Sequence, residues 1–150
     1  MWEFYLPRHW LTWWPMANST AVAVALVTHA PLGQALYSCV QHVLQGPPDL
    51  RVADILPDDL PQPWIARLVA ELAEQPSKNV LLCCDLYGST PYHIATAVQR
   101  QLSLRGFNVH LISGVNVCMT LKACTVQAPD LDTLVEMIIA ATHRGVVHQS

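Results

Sequence analysis

Apolar positions change period several times along the chain, and each change marks an element. From Thr20 to Thr28 the sequence is a short Val-rich run without polar alternation, which predicts a strand buried on both faces. Leu32, Ala35, Leu36, Cys39, Val40, Val43 and Leu44 then recur at helical spacing until Gly46-Pro47-Pro48 ends the helix. Leu50 to Leu56 reads as a second strand. A helix opened by Pro63 follows, with Ile65, Leu68, Val69 and Leu72 on one face. Asn79 to Cys84 is a third, continuously apolar strand. Thr90-Pro91 then supplies a cap and a first-turn proline to a helix with Ile94, Ala97, Val98 and Leu102 inward, ending near Gly106. Phe107 to Ile112 is a fourth strand, followed by a helix from about Val117 and a turn at Pro129. A last helix, capped by Asp130, turns Leu131, Leu134, Val135, Ile138 and Ile139 inward, and Gly145 to His148 offers a short edge strand.

Strands alternating with helices predict an α/β domain with a mainly parallel four-stranded sheet covered on both faces. The common doubly wound order is 2-1-3-4, with a possible antiparallel edge strand at the C-terminus. Ligand chemistry in such sheets sits at the carboxyl ends of the strands, where the winding reverses between strands one and three. Thr28-His29 and the stretch from Asp85 to Thr90 fall there.

Residues 1–19 do not share the pattern. Trp2, Phe4, Tyr5, Trp10, Trp13 and Trp14 crowd into this segment without helix or strand period, so the domain is expected over 20–150. The segment reads as a non-native or disordered extension, with Met16 as an alternative start, or as an interfacial aromatic anchor.

Composition narrows the function classes. Eight Lys and Arg against eleven Asp and Glu give a net charge of −3, and no basic run exists to hold nucleic acid or an anionic membrane. The longest unbroken apolar piece of the charge-free stretch between Arg8 and Asp49 is Ala21 to Val27, far short of the roughly 20 residues of a spanning helix. Five cysteines, an odd number with no C-x-x-C pair, read as reduced, mostly buried thiols of a cytoplasmic protein. Neither G-x-S-x-G, H-E-x-x-H, G-x-G-x-x-G nor a Walker A loop occurs, so no metal or nucleotide cofactor is expected.

Chemistry is expected at the switch point. A carboxylate at Asp85 within reach of His29 would accept from Nδ1–H, fixing the tautomer and leaving Nε2 as a free nucleophile. The loop of Leu86, Tyr87, Gly88, Ser89 and Thr90 opens a helix, so its N–H groups form a place for an anion such as a phosphoryl group. Singly, each residue has a structural explanation: His29 as a solvated side chain, Asp85 as a turn cap, Thr90 as an N-cap. Their joint placement is what points to phosphoryl acceptance on His29. His93, early in the same helix, is read as a solvated surface residue or as a neighbour that tunes the site.

Four stretches, Val27-Thr28-His29, Asp85-Leu-Tyr-Gly-Ser-Thr-Pro91, Ser113-Gly-Val-Asn-Val-Cys-Met119 and Arg144-Gly-Val146, occur in an order and spacing that resembles the mannose-family IIA domain of the bacterial phosphoenolpyruvate-dependent sugar phosphotransferase system (PTS). The resemblance covers about Ala21 to Val147. It implies a phosphocarrier that accepts a phosphoryl group on His29 from the phosphohistidine of HPr and passes it to a IIB component for sugar uptake. Asp85 would orient His29, Thr90 would place a hydroxyl near the phosphoryl group, and no metal would be needed. It further implies a homodimer in which the strand Arg144 to His148 pairs with the partner subunit, and at most peripheral association with a membrane permease. Ala30-Pro31 stands where many relatives carry Gly and a bulky residue, Tyr87 replaces a frequent Trp, and Cys118 replaces a Pro. A regulatory phosphorylatable module of the same fold, without a dedicated permease, is the second reading.

Overall fold

A computed structural model describes residues 21–150, so the expectations for the aromatic N-terminal segment lie outside the described residues. The elements alternate as β1 (Ala23–His29), α1 (Leu32–Leu44), β2 (Arg51–Ile55), α2 (Pro61–Ala73), β3 (Asn79–Cys84), α3 (Thr90–Ser103), β4 (Asn108–Ser113), α4 (Val117–Thr125) and α5 (Leu131–Arg144). All three strand pairings are parallel, and the order is β2-β1-β3-β4, as the alternation predicts.

Continuous apolar strands make sense here because both faces of the sheet are covered. On one face, Ala25, Val27, Val80 and Leu82 pack against Ile65, Leu68 and Leu72 of α2 and Ile94, Val98 and Leu102 of α3. On the other, Val24, Leu26, Leu81 and Cys83 meet Leu36 of α1, Met119 of α4 and Leu131, Leu134 and Ile138 of α5. Cys83 and Cys84 are buried core filling, and burial pushes their thiols up to about 12 and about 11, respectively.

Several local expectations need correction. Helix α2 begins at Pro61, two residues before Pro63, because a first helical turn has no use for its N–H groups and tolerates both prolines. Ser89, not Thr90, is the N-cap of α3: its backbone is extended and its Oγ accepts from Tyr92 N, which makes Thr90 the first helical residue. Ile139 is exposed, since a step of one residue rotates it about 100° from buried Ile138. Along α1 only Gly33, Leu36 and Val40 are buried, while Leu32, Cys39, Val43 and Leu44 remain exposed. The edge strand at 145–148 is absent from this single chain. Helix α5 runs through Arg144, and Val146 N then donates to His143 O at 3.3 Å, a turn bond where a ladder was expected.

Candidate functional site

The site grows out of the sheet register. Val27 of β1 lies opposite Cys84 of β3, so the chain leaves the two central strands side by side, β1 with His29 and β3 with Asp85. The Asp85 carboxylate closes the gap. Its Oδ2 accepts from the backbone N–H of His29 at 2.8 Å and lies 2.8 Å from His29 Nδ1, while its Oδ1 accepts from Leu86 N at 2.8 Å. An ionised carboxylate can only accept, so Nδ1 bears a proton, and in the neutral imidazole the lone pair is then on Nε2. The His29 side chain is 51% exposed, against 12% for Asp85. Burial works to raise the Asp85 pKa, but the hydrogen bonds from His29 N, the His29 ring and Leu86 N outweigh it and hold the carboxyl below its ordinary value.

Backbone contacts fix Asp85 in turn. Gly114 N donates to Asp85 O at 3.1 Å and Val115 N to Cys84 O at 3.0 Å, with Gly114 in the left-handed region at φ 86°. Asn116 then caps α4 by accepting from Met119 N at 2.9 Å. The stretch from Ser113 to Met119 thus carries the backbone that carries the carboxylate.

From Asp85 the chain turns into α3. Ser89 N donates to Leu86 O at 3.2 Å and Ser89 Oγ to the same carbonyl at 2.7 Å, a tight turn made possible by Gly88 at φ 78°. Leu86 and Tyr87 are 62% and 74% exposed, and the Tyr87 ring rests on Tyr92 with centroids 4.7 Å apart. Thr90 is exposed at the start of the helix. His93 is also exposed, its ring 5.6 Å from that of Tyr92.

The structure therefore brings His29 and Asp85 into direct contact and sets Leu86, Tyr87, Gly88 and Ser89 in the turn beside them. Sequence reasoning overlooked one neighbour of this pair, Asp54. At the carboxyl end of β2 it accepts from Thr28 Oγ1, Gly33 N and Gln34 N. Its trace in the sequence is a polar residue one position before the end of each strand, Thr28 in β1 and Asp54 in β2, which by itself names no partner.

Comparison with known proteins agrees with the fold. No curated protein matches the chain. Among solved structures, the phosphotransferase system component EIIA from Streptococcus agalactiae superposes with a TM-score of 0.77 at 19% identity, covering 85% of this chain and 97% of that one. The mannose/sorbose-specific IIA subunit of the phosphotransferase system from Enterococcus faecalis gives 0.73 at 18%, covering 89% and 96%. A sigma-54 interaction domain protein from Enterococcus faecalis gives 0.66 at 13%, covering 85% and 93%. At these identities the likeness is one of fold. Residues 23–139 match the family model EIIA-man, the PTS system fructose IIA component, and the chain belongs to that family.

Proposed function

We propose that the chain is a phosphocarrier that accepts a phosphoryl group from phospho-HPr on His29 Nε2 and passes it to a IIB component for sugar uptake. The observation that carries the reading is the 2.8 Å contact between His29 Nδ1 and Asp85 Oδ2. In the transfer, the Nε2 lone pair attacks phosphorus while the P–N bond of the donor phosphohistidine breaks and the donor imidazole leaves with the electron pair. The Nδ1 proton stays on His29. The positive charge that develops on the ring is paired by ionised Asp85, and the imidazole needs no reorientation during the step. Leu86 N and Ser89 N already donate within the site, so the N–H groups of Tyr87, Gly88 and Thr90 supply the dipoles for the phosphoryl oxygens, with Thr90 adding a hydroxyl. Exposure of His29 suits a donor and an acceptor that are themselves proteins.

The carrier acts in the cytoplasm as a homodimer and meets a membrane permease at most peripherally. No helix among the described residues is long and apolar enough to cross a membrane. The second reading, a regulatory phosphorylatable module, draws support from the fold shared with the sigma-54 interaction domain protein. The test is a chase: the chain is charged with phosphoenolpyruvate, the first PTS kinase and HPr, isolated, and mixed with IIB components encoded nearby. Transfer to a IIB protein establishes the carrier. A stably charged chain that no IIB protein discharges favours the regulatory module, and an uncharged wild-type chain overturns both.

A further inference from the structure

His29 leads directly into α1, and the start of α1 is held in an unusual way. The N-cap position is Pro31, which has no side-chain group to offer the first-turn N–H groups. Those donors turn instead to the neighbouring strand. Gly33 N donates to Asp54 Oδ1 at 2.7 Å and Gln34 N to Asp54 Oδ2 at 2.9 Å, so one carboxylate from β2 caps the helix with both oxygens. Asp54 Oδ1 also accepts from Thr28 Oγ1 at 2.8 Å. Thr28 is fully buried, sits opposite Asp54 in the strand register, and immediately precedes His29.

The fit around this carboxylate leaves no slack. A Cβ on Gly33 would lie 2.6 Å from Asp54 Oδ1, 2.7 Å from Thr28 Oγ1 and 2.8 Å from Val52 Cγ1, so the first turn of α1 rests directly on the β1–β2 ladder. The ladder also continues past His29, with Ala30 N donating to Ile55 O at 3.0 Å. His29 is thus fixed by β2 through the residues on either side of it, Thr28 and Ala30, and by β3 through Asp85.

We infer that Asp54, acting through Thr28 and the first turn of α1, is a positioning residue that sets His29 against Asp85. The inference rests on the reading of His29 as phosphoryl acceptor. Two carboxylates then divide the work: Asp85 holds the ring, and Asp54 holds the backbone from which the ring projects. Asp54 also satisfies the N-terminus of α1, which leaves the turn before α3 as the place beside His29 for a phosphoryl group. A displacement of about 1 Å in a reacting group can cost on the order of 10²-fold in rate.

The test compares Asp54→Asn, Thr28→Val and Val40→Ala. Asparagine keeps one acceptor but turns an NH2 toward a backbone N–H, valine removes the hydroxyl at nearly constant shape, and Val40→Ala weakens buried α1 packing away from the loop. Two readouts are taken well below each variant's unfolding temperature: the rate of phosphoryl acceptance from phospho-HPr, and the NMR signal of the His29 Nδ1 proton held by Asp85. The expected result is a rate loss of about tenfold or more with a shifted or broadened Nδ1–H signal in Asp54→Asn and Thr28→Val, and neither change in Val40→Ala. Wild-type rate and signal in both Asp54→Asn and Thr28→Val would overturn the inference and leave the phosphocarrier reading intact. Equal losses in Val40→Ala would reduce Asp54 to a contributor to α1 stability and overturn it as well. A wild-type chain that accepts no phosphoryl group defeats the functional reading instead. The Nδ1–H signal then decides the positioning role by the same comparison.

Discussion

His29 and Asp85 form a pair in which every lone pair used has a donor, and that accounting makes substitution informative. In Asp85→Asn the side chain has one carbonyl oxygen for two sets of donors, the His29 N–H and ring on one side and Leu86 N on the other. Either the amide NH2 faces a backbone N–H or the imidazole loses its acceptor and with it the preference for the Nδ1–H tautomer. Phosphoryl acceptance is predicted to fall on the order of 10²–10⁴-fold with the fold retained, measured as the initial rate of labelling from phospho-HPr. The same residue predicts a pH dependence. Its folded pKa is depressed, so its contribution to stability is complete above the ordinary carboxylate value of about 3.9 and is lost as pH falls through the lower folded value. Asp59, which accepts from Leu56 N and Trp64 Nε1, and Asp130, which accepts from Thr133 N, shift in the same direction. Stability should therefore fall below about pH 4, and Asp85→Asn should flatten that acid limb in thermal melts recorded against pH. His29 and Asp85 could be picked out of the sequence because each ends a strand next to the reversal of winding. Asp54 was not singled out, because a lone aspartate near the end of a short strand names no partner, and Thr28 Oγ1 and the N–H groups of Gly33 and Gln34 meet it only in the fold.

At the level of elements, periodicity located the four strands and five helices of the described residues but did not settle which residue starts or faces what. The stretch Ser89-Thr90-Pro91 admits two registers, since proline is accepted anywhere in a first turn, and the structure takes the earlier one with Ser89 as cap. Ser89→Ala is accordingly predicted to cost about 1 kcal/mol and Thr90→Ala a few tenths, compared by urea denaturation. Helix α1 shows a different ambiguity. Seven apolar positions recur at helical spacing, more than one buried face can use, and only the fold shows that Leu36 and Val40 are the inward ones. Gly33 is legible only in three dimensions, where a side chain would meet Asp54, Thr28 and Val52 together. Gly33→Ala should destabilise by roughly 1–3 kcal/mol, read from the same denaturation curves.

For the whole molecule, the order 2-1-3-4 and two-sided burial followed from the alternation of apolar strands and amphipathic helices, and both hold. The C-terminal edge strand was expected from its apolar residues and from family resemblance. It is absent in the single chain, where Val146 and Val147 stay 81% and 70% exposed and a strand would need a ladder to join. Leu32, Val43 and Leu44 of α1 and Val146 and Val147 of the tail are exposed apolar side chains that a homodimer would cover. The chain is predicted to sediment as a dimer, and truncation after Arg144 to shift it to monomer without loss of the His29–Asp85 contact. The phosphocarrier reading requires one phosphoryl group, on one imidazole, delivered by one carrier. Its test is intact-mass analysis after incubation with phosphoenolpyruvate, the first PTS kinase and HPr, followed by peptide mapping under alkaline conditions that preserve phosphohistidine. A single HPr-dependent phosphoryl group is expected on the peptide bearing His29, absent in His29→Ala; a chain that stays unmodified with its own organism's HPr, or is equally modified in His29→Ala, would exclude His29 as the phosphoryl acceptor.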